Sequence, residues 1–449
     1  MRTGPWGKAV GGVTRVTVRS ELSWTDVLVI GAGPAGLAVA AGLGNSGLHC
    51  LVVEQGPPSG GRDATNPAHL ATGVGGAGLF SDGKFSFYPS ATGLWSLRPG
   101  HDLRLAYDAM AKALAPCGLA VPVYPKRTPD TSGPPTFRLK HYPSFYVSME
   151  ERTRLTERLA DLVGRDNLLT GTKAFQVGEG FGGSIAVGLR PATATGAHGD
   201  GVTVHCRALV LAGGRFGPLS CDVRLKGVQC TFRRLEIGVR IEQPVDDFFL
   251  RDQRALDPKF LWEDKSGRYG WRTFCCCRDG RVVATDFDGW VTLSGRADCP
   301  PTGRSNVGFN LRVSNESEAA LIWRGAALLS EGAQPAQGVP LADFLTARGP
   351  STDGTLRHRL GDRGAALLAE GLGRLTDRLG AQRLENALVS GPTLEGVGHY
   401  PWTRQELMVY GRPVWAVGDT AGRFRGITAA LVSGFFAARR ISEYFRRRS

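Results

Sequence analysis

The stretch Asp26–Glu54 constrains this chain most, because it sets an apolar strand, a glycine turn, a helix, a second apolar strand and an acid in that order. Val27 to Ile30 are apolar without alternation, as a parallel strand covered on both faces is. In Gly31-Ala-Gly-Pro-Ala-Gly36, Gly31 permits a tight turn, Gly33 lets backbone approach a pyrophosphate, and Gly36 lets the following helix pack close to the strand. Pro34 suits a first helical turn, where the N–H it lacks has no partner. That turn, with Ala35, offers unpaired N–H groups and a partial positive charge to phosphates. The helix runs through Ala35, Leu37, Ala38, Ala41 and Leu43 to Gly44 or Gly47, and Leu48 to Val53 make the second strand. Glu54, followed by Gln55, lies 18 residues past Gly36. A carboxylate reaches a ribose diol at an offset of roughly 20. Strands, glycines and acid together predict a dinucleotide-binding βαβ unit.

A second constellation decides which dinucleotide. Pro413 to Val417 form an apolar strand leading into Gly418-Asp419, then Gly422, Gly426-Ile427-Thr428 and an apolar helix through Ala429, Leu431, Val432 and Ala438. This resembles the flavin-protein pattern in which the Asp holds the ribityl chain and the following helix start faces the pyrimidine edge of the flavin. Reduced flavin carries negative charge there, which N–H donors and a helix dipole stabilise. Ala208 to Gly214 reads as the strand returning to the nucleotide domain, with Ala212 and Gly213 at its exit. The three pieces favour FAD over NAD. No other G-x-G-x-x-G is followed by strand and acid, so a tightly held NAD(P)H is not expected, and oxygen, a transient NAD(P)H or a protein carrier is the expected redox partner.

Val74-Gly-Gly-Ala-Gly-Leu-Phe-Ser-Asp-Gly-Lys84 resembles the signature of the uncharacterised FAD-dependent dehydrogenases. Glu236 to Glu242, Arg272 to Cys277, Pro335 to Gln337 with Asp343 to Leu345, and Arg425-Gly426-Ile427 resemble that family's segments in the same order, so the likeness runs over roughly residues 25 to 440. The family's Cys-Met-Cys-Pro-Gly-Gly turn reads Cys275-Cys-Cys-Arg-Asp-Gly280 here. The resemblance implies cofactor contacts from Gly76, Ser81, Asp82 and Gly83. A looser likeness, to amine oxidases and phytoene desaturases, rests on Gly60-Gly61-Arg62 and implies Arg62 against the FAD phosphates. The activity implied is hydride transfer between a small organic substrate and flavin N5. A flavin monooxygenase and a non-enzymatic flavin-binding redox protein are the alternatives. Against the former, Thr420-Ala-Gly-Arg follows Asp419 where aromatic hydroxylases have Ala-Ala-His and Pro. Catalytic residues are not assigned.

Composition sets limits. A chain of 449 residues has room for about two or three domains. No run approaches the roughly 18 apolar residues of a membrane span. The first 24 residues lack the apolar core of a secretory signal and read as a loose tail. The net charge of +13 comes from scattered Arg without aromatic interleaving, which speaks against nucleic acid. Nine cysteines, an odd number beside a nucleotide fold, read as reduced thiols of a cytoplasmic protein.

The expected architecture is α/β: a Rossmann-like FAD-binding domain (25–100, 205–234 and 386–445) interleaved with a mostly antiparallel β substrate domain capped by helices (101–204 and 235–385). Prolines bar a helix or central strand over 121–144. Ser148 and Glu151 form a capping box for a helix ending near Gly164. Residues 167–210 read as antiparallel strands with a tip at Thr193 to Gly201, 235–242 and 281–293 as strands of a domain floor, and 316–331 and 356–380 as capping helices. Cys275 to Cys277 read as a strand entering a hairpin, with a redox role as the alternative; no cysteine or histidine set suggests a metal. Arg240 and Glu242 share a strand face and either bind a substrate anion or pair with each other. His399 is a candidate acid or base, or a structural histidine.

Overall fold

The computed structural model describes residues 23–126, 137–194, 201–217, 228–326, 334–346 and 353–448. Trp24–Ile30 pairs in parallel with Cys50–Val53 on one side and with Val202–Leu211 on the other, and Val27, Leu28 and Val29 are fully buried. Val414–Ala416 adds a further parallel strand beside Val202–Leu211, and Leu168–Leu169 closes the opposite edge. Helix Pro34–Leu43 packs on helix Ile427–Arg446 through small residues: a side chain on Gly434 would run into the Ala35 carbonyl, and one on Gly42 into Ala438. The two helices that the sequence assigns to the cofactor therefore lie against each other, their first turns side by side.

Strand pairing and core packing cross the expected domain boundaries. Hairpin Thr172–Glu179 and Ile185–Pro191 is antiparallel as read, but Ile185–Pro191 pairs with Val202–Leu211 and so extends the first sheet. Helices Gly100–Leu114 and Met149–Val163 bury Leu103, Met110, Leu155 and Leu159 in the same core. Residues 101–194 thus mostly belong with the nucleotide-binding half; alternation reveals a strand but not its partner. The capping box forms, with the Ser148 hydroxyl accepting the Glu151 N–H at 3.2 Å, and the helix ends at Gly164. The tip at 195–200, the prolines at 129, 134 and 135 and residues 327–331 lie outside the described residues.

The second sheet is antiparallel throughout, ordered Ala336–Pro340, Leu388–Pro401, Cys230–Pro244, Arg304–Val313, Tyr269–Cys277, Lys259–Glu263, Arg138–Lys140. Leu388–Pro401, expected in the nucleotide domain, is thus a strand of this sheet. Helices Glu316–Gly325 and Asp353–Leu379 cover one face, burying Ile322, Leu360 and Leu368 with Ile237, Phe309 and Leu311. Trp271 sits in that layer, its Nε1–H donated to the Leu367 carbonyl at 2.9 Å. Segment 281–293 is not one floor strand but most of a separate hairpin, Arg281–Phe287 with Trp290–Arg296. It turns at Asp288 (φ +52°) and Gly289 (φ +84°), the left-handed pair that a tight hairpin turn favours. The open face of the second sheet looks across a cavity at the first.

Candidate active site

That cavity has a volume of about 1210 Å³, above the roughly 300–1,000 Å³ of ordinary small-ligand pockets. Gly33, Pro34 and Ala35 open onto it from one helix start, and Gly426 and Ile427 from the other. Neither start has a side-chain cap, so both present first-turn N–H groups without acceptors among the described residues. Gly31 holds φ at +105°, and a Cβ there would lie 2.5 Å from the Ala212 oxygen. Gly76 brings a second loop onto the turn, a Cβ on it falling 3.0 Å from the Gly33 Cα. Two uncapped helix ends and a side-chain-free cradle on one large cavity suit a long cofactor bearing a pyrophosphate.

Most residues singled out in the sequence line this space: Gly31, Gly33, Pro34, Ala35, Glu54, Gln55, Gly76, Ser81, Asp82, Ala212, Gly213, Gly418, Asp419, Gly426 and Ile427. Three do not. Gly36 lies behind the turn, where a Cβ would overlap the Gly31 carbonyl. Gly83 (φ +71°) makes room for Arg152. Arg62, placed on the phosphates by the looser likeness, instead donates to the carbonyls of Val74 at 3.0 Å and Gly76 at 2.8 Å, and to that of His69. It is a positioning residue that shapes the Gly73–Gly76 loop. Glu54 also has a task the sequence did not show: its carboxylate accepts the N–H groups of Ala32 at 2.8 Å and of Gly56 and Gly73 at 2.9 Å, pinning three loops at the turn.

The cavity's other walls are densely charged. Arg425 bonds Asp419 at 2.9 Å and pairs with Glu395, which also takes Arg215 at 2.6 Å. Burial lifts the Asp419 carboxyl to about 6, although the Arg215 and Arg234 charges pull the other way. Beneath the second sheet's open face, fully buried Glu236 holds Arg272 at 2.8 Å, Arg234 at 3.3 Å and Arg312 at 3.8 Å. Burial alone would raise Glu236, but these guanidinium charges hold it far below the usual carboxylate range. Lys84 lies 3.1 Å from Asp82 and 3.9 Å from Asp257; burial opposes its charge, yet the two acids keep it protonated well above the ordinary lysine range.

Cys275 lines the cavity with φ +50°, its Sγ 4.0 Å from that of buried Cys277, and the Arg278-Asp279-Gly280 turn follows as read. The contact between the thiols raises Cys275 and lowers Cys277. Asp82 approaches both sulfurs, the one such group among the described residues, and Lys84 already supplies the positive charge beside it. Arg240 and Glu242 follow neither reading. Arg240 is buried behind the wall, donating to Asn306 Oδ1 at 3.1 Å and to the Cys275 carbonyl at 2.9 Å, while Glu242 pairs with Arg304. His399 lies on the surface, 2.8 Å from Glu316, away from the cavity.

Sequence reasoning missed the cations of the second sheet, Lys140, Lys259 and Arg312, along with Arg215 and Glu395. The signal was strand alternation in Arg138-Leu-Lys140 and Lys259-Phe-Leu, too short to stand out.

Residues 26–82 match the family of the FAD binding domain. This chain is an FAD-binding flavoprotein. The matched segment contains the turn, Glu54 and the Gly73–Gly76 loop of the cavity. No curated protein is similar enough to match. Among solved structures, the flavoprotein is similar to a geranylgeranyl bacteriochlorophyll reductase-like protein from Thermoplasma acidophilum, at 15% identity over 95% of this chain and 80% of that one, with a TM-score of 0.40. A flavoprotein/dehydrogenase from Cytophaga hutchinsonii matches at 14% over 94% and 79%, TM-score 0.39. A probable FAD-dependent monooxygenase from Pseudomonas aeruginosa matches at 14% over 95% and 88%, TM-score 0.37. Likeness at this level says nothing of activity. No helix among the described residues is long and apolar enough to cross a membrane.

Proposed function

We propose that this chain is an FAD-dependent oxidoreductase that moves a hydride between a small organic substrate and flavin N5. The observation that carries the reading is that two uncapped helix starts, Gly33–Ala35 and Gly426–Ile427, open onto one cavity whose facing wall is a charged sheet of a different core. One side is built for a cofactor, and the other offers side chains to a second molecule.

The N–H groups after Gly33 would hold the pyrophosphate, with Glu54 and Gln55 at the adenosine end. Gly418 and Asp419 would meet the ribityl chain. The N–H groups after Gly426 would face the pyrimidine edge, where they favour negative charge. Bound FAD supplies two-electron chemistry at N5. The protein's part is orientation and electrostatics: Lys84, fixed between Asp82 and Asp257, and the Arg215–Glu395–Arg425–Asp419 chain keep charged groups stationary around the substrate space.

Anaerobic mixing tests this. A substrate or its reduced partner should bleach or restore the flavin band near about 450 nm without oxygen. Strict dependence of product on oxygen, with labelled oxygen incorporated, would establish the monooxygenase instead. Flavin unresponsive to every reductant would leave a non-enzymatic redox protein.

A further inference from the structure

The cavity wall formed by the second sheet carries more positive charge than its carboxylates pair. Edge strand Arg138–Lys140 lies antiparallel to Lys259–Glu263, which lies antiparallel to Tyr269–Cys277. Alternation turns Phe260, Trp262 and Trp271 into the core and leaves Arg138, Lys140, Lys259 and Arg272 on the cavity wall. In the ladder Lys140 stands directly opposite Lys259, and Leu261 pairs with both Arg138 and Arg272. Like charges facing each other across a ladder are destabilising, so packing alone gives no reason for the arrangement.

Two of the three acids close by are already engaged. Asp257 accepts the Tyr142 hydroxyl at 2.7 Å and the Cys276 N–H at 3.1 Å, and lies between Lys84 and Lys259. Glu236 is shared by three arginines. Glu263 lines the same cavity at the exposed end of its strand, opposite Gly270, where its charge acts on Arg312 and it forms no ion pair with Lys140. Lys140 donates to the Thr92 hydroxyl at 3.1 Å and has no carboxylate within ion-pair distance among the described residues. A cation crowded by cations, on the wall of a cavity, needs an anion from outside.

We propose that Lys140, Lys259, Arg138 and Arg272 bind the carboxylate or phosphate group of an organic acid, so that the substrate is an acidic small molecule rather than a neutral one. The word substrate rests on the hydride-transfer reading; the anion site stands on the ladder itself. The patch lies on the second sheet, apart from the Gly31–Gly36 turn on the first, so it is not the cofactor's own phosphate seat. Burial, with the charges of Lys259, Arg272 and Arg138 added, brings Lys140 down to about 8. These groups face it from its own strand and the next two, with Thr92 from the loop opposite. As pH rises through that value Lys140 loses its proton, so affinity for malonate, fully ionised there, should fall above pH 8.

Calorimetric titration of the purified full chain with malonate, inorganic phosphate and neutral malonamide tests the proposal. At least one of the two anions should bind, which of them identifying the group recognised, and malonamide should not. Lys140→Met should weaken the anion by about tenfold or more, the loss of one charged hydrogen bond. Flavin content should be unchanged, Lys140→Arg should recover most of the affinity, and the fall in malonate affinity above pH 8 should shrink in Lys140→Met. Malonamide binding as well as malonate, flavin-loaded protein that binds neither anion, or loss of flavin in Lys140→Met would each overturn the site. A chain that binds malonate or phosphate yet carries no flavin would sink the hydride-transfer reading and leave the anion site standing.

Discussion

Gly31→Ala should yield a folded chain that has lost at least about a hundredfold in FAD affinity, equivalent to roughly 2.8 kcal/mol. Two costs combine. Gly31 sits at φ +105°, where a side chain is strained, and its Cβ would come 2.5 Å from the Ala212 carbonyl oxygen. The left-handed backbone alone costs an L-residue about 1–2 kcal/mol. The overlap must then be relieved by moving the turn or the strand exit, and both line the cavity. The first-turn N–H groups shift with them, and hydrogen bonds to phosphate tolerate little displacement. Gly373→Ala is the control, since a Cβ there meets nothing within 4 Å. Flavin retained on gel filtration after dilution reads both; equal retention in Gly31→Ala and wild type would remove the turn from the cofactor site.

Glu236→Gln should cost about 3–5 kcal/mol of stability, the usual penalty for breaking a buried ionic cluster by removing one partner. The substitution preserves size and leaves Arg234, Arg272 and Arg312 around a neutral amide at a fully buried position. The pH dependence has a definite sign. The Glu236 carboxyl is held far below its ordinary value when folded, so its stabilisation is complete above the unfolded value of about 4.3 and is lost as pH falls below it. Wild type and variant should therefore differ most near neutral pH and converge in acid. Denaturant midpoints across pH check this; a gap below about 0.5 kcal/mol at neutral pH would mean that the arginines do not depend on Glu236.

How much of this was legible follows from how local each demand is. A turn that is to seat a pyrophosphate must place three glycines, a helix start and an acid within thirty residues, so Gly31, Gly33, Gly36 and Glu54 can be read in a line. Gly418-Asp419 and Gly426-Ile427 stand out in the sequence only through their resemblance to the flavin-protein pattern, and they line the same cavity. Ser148 and Glu151 satisfy each other within one helical turn, and that cap forms. Asp288-Gly289 is an equally local hairpin signal, and it divides the single strand expected over 281–293. What could not be read is pairing at a distance. Ile185–Pro191 looks the same whether it joins a parallel sheet or founds a second domain, and only its partner Val202–Leu211 decides. Lys140 belongs to a three-residue edge strand among prolines, and Lys259, which faces it, is more than a hundred residues on. Nor did the position of His399 beside a cavity strand reveal that its side chain points out to Glu316.

The cavity between the two sheets is expected to hold one FAD on the Gly31–Gly36 turn. Heat-denaturing the purified full chain and quantifying the released nucleotide by chromatography tests it most directly. One FAD per chain from wild type, and little or none from Gly31→Ala, is the result expected. A chain that releases no flavin, or releases NAD in its place, would contradict it.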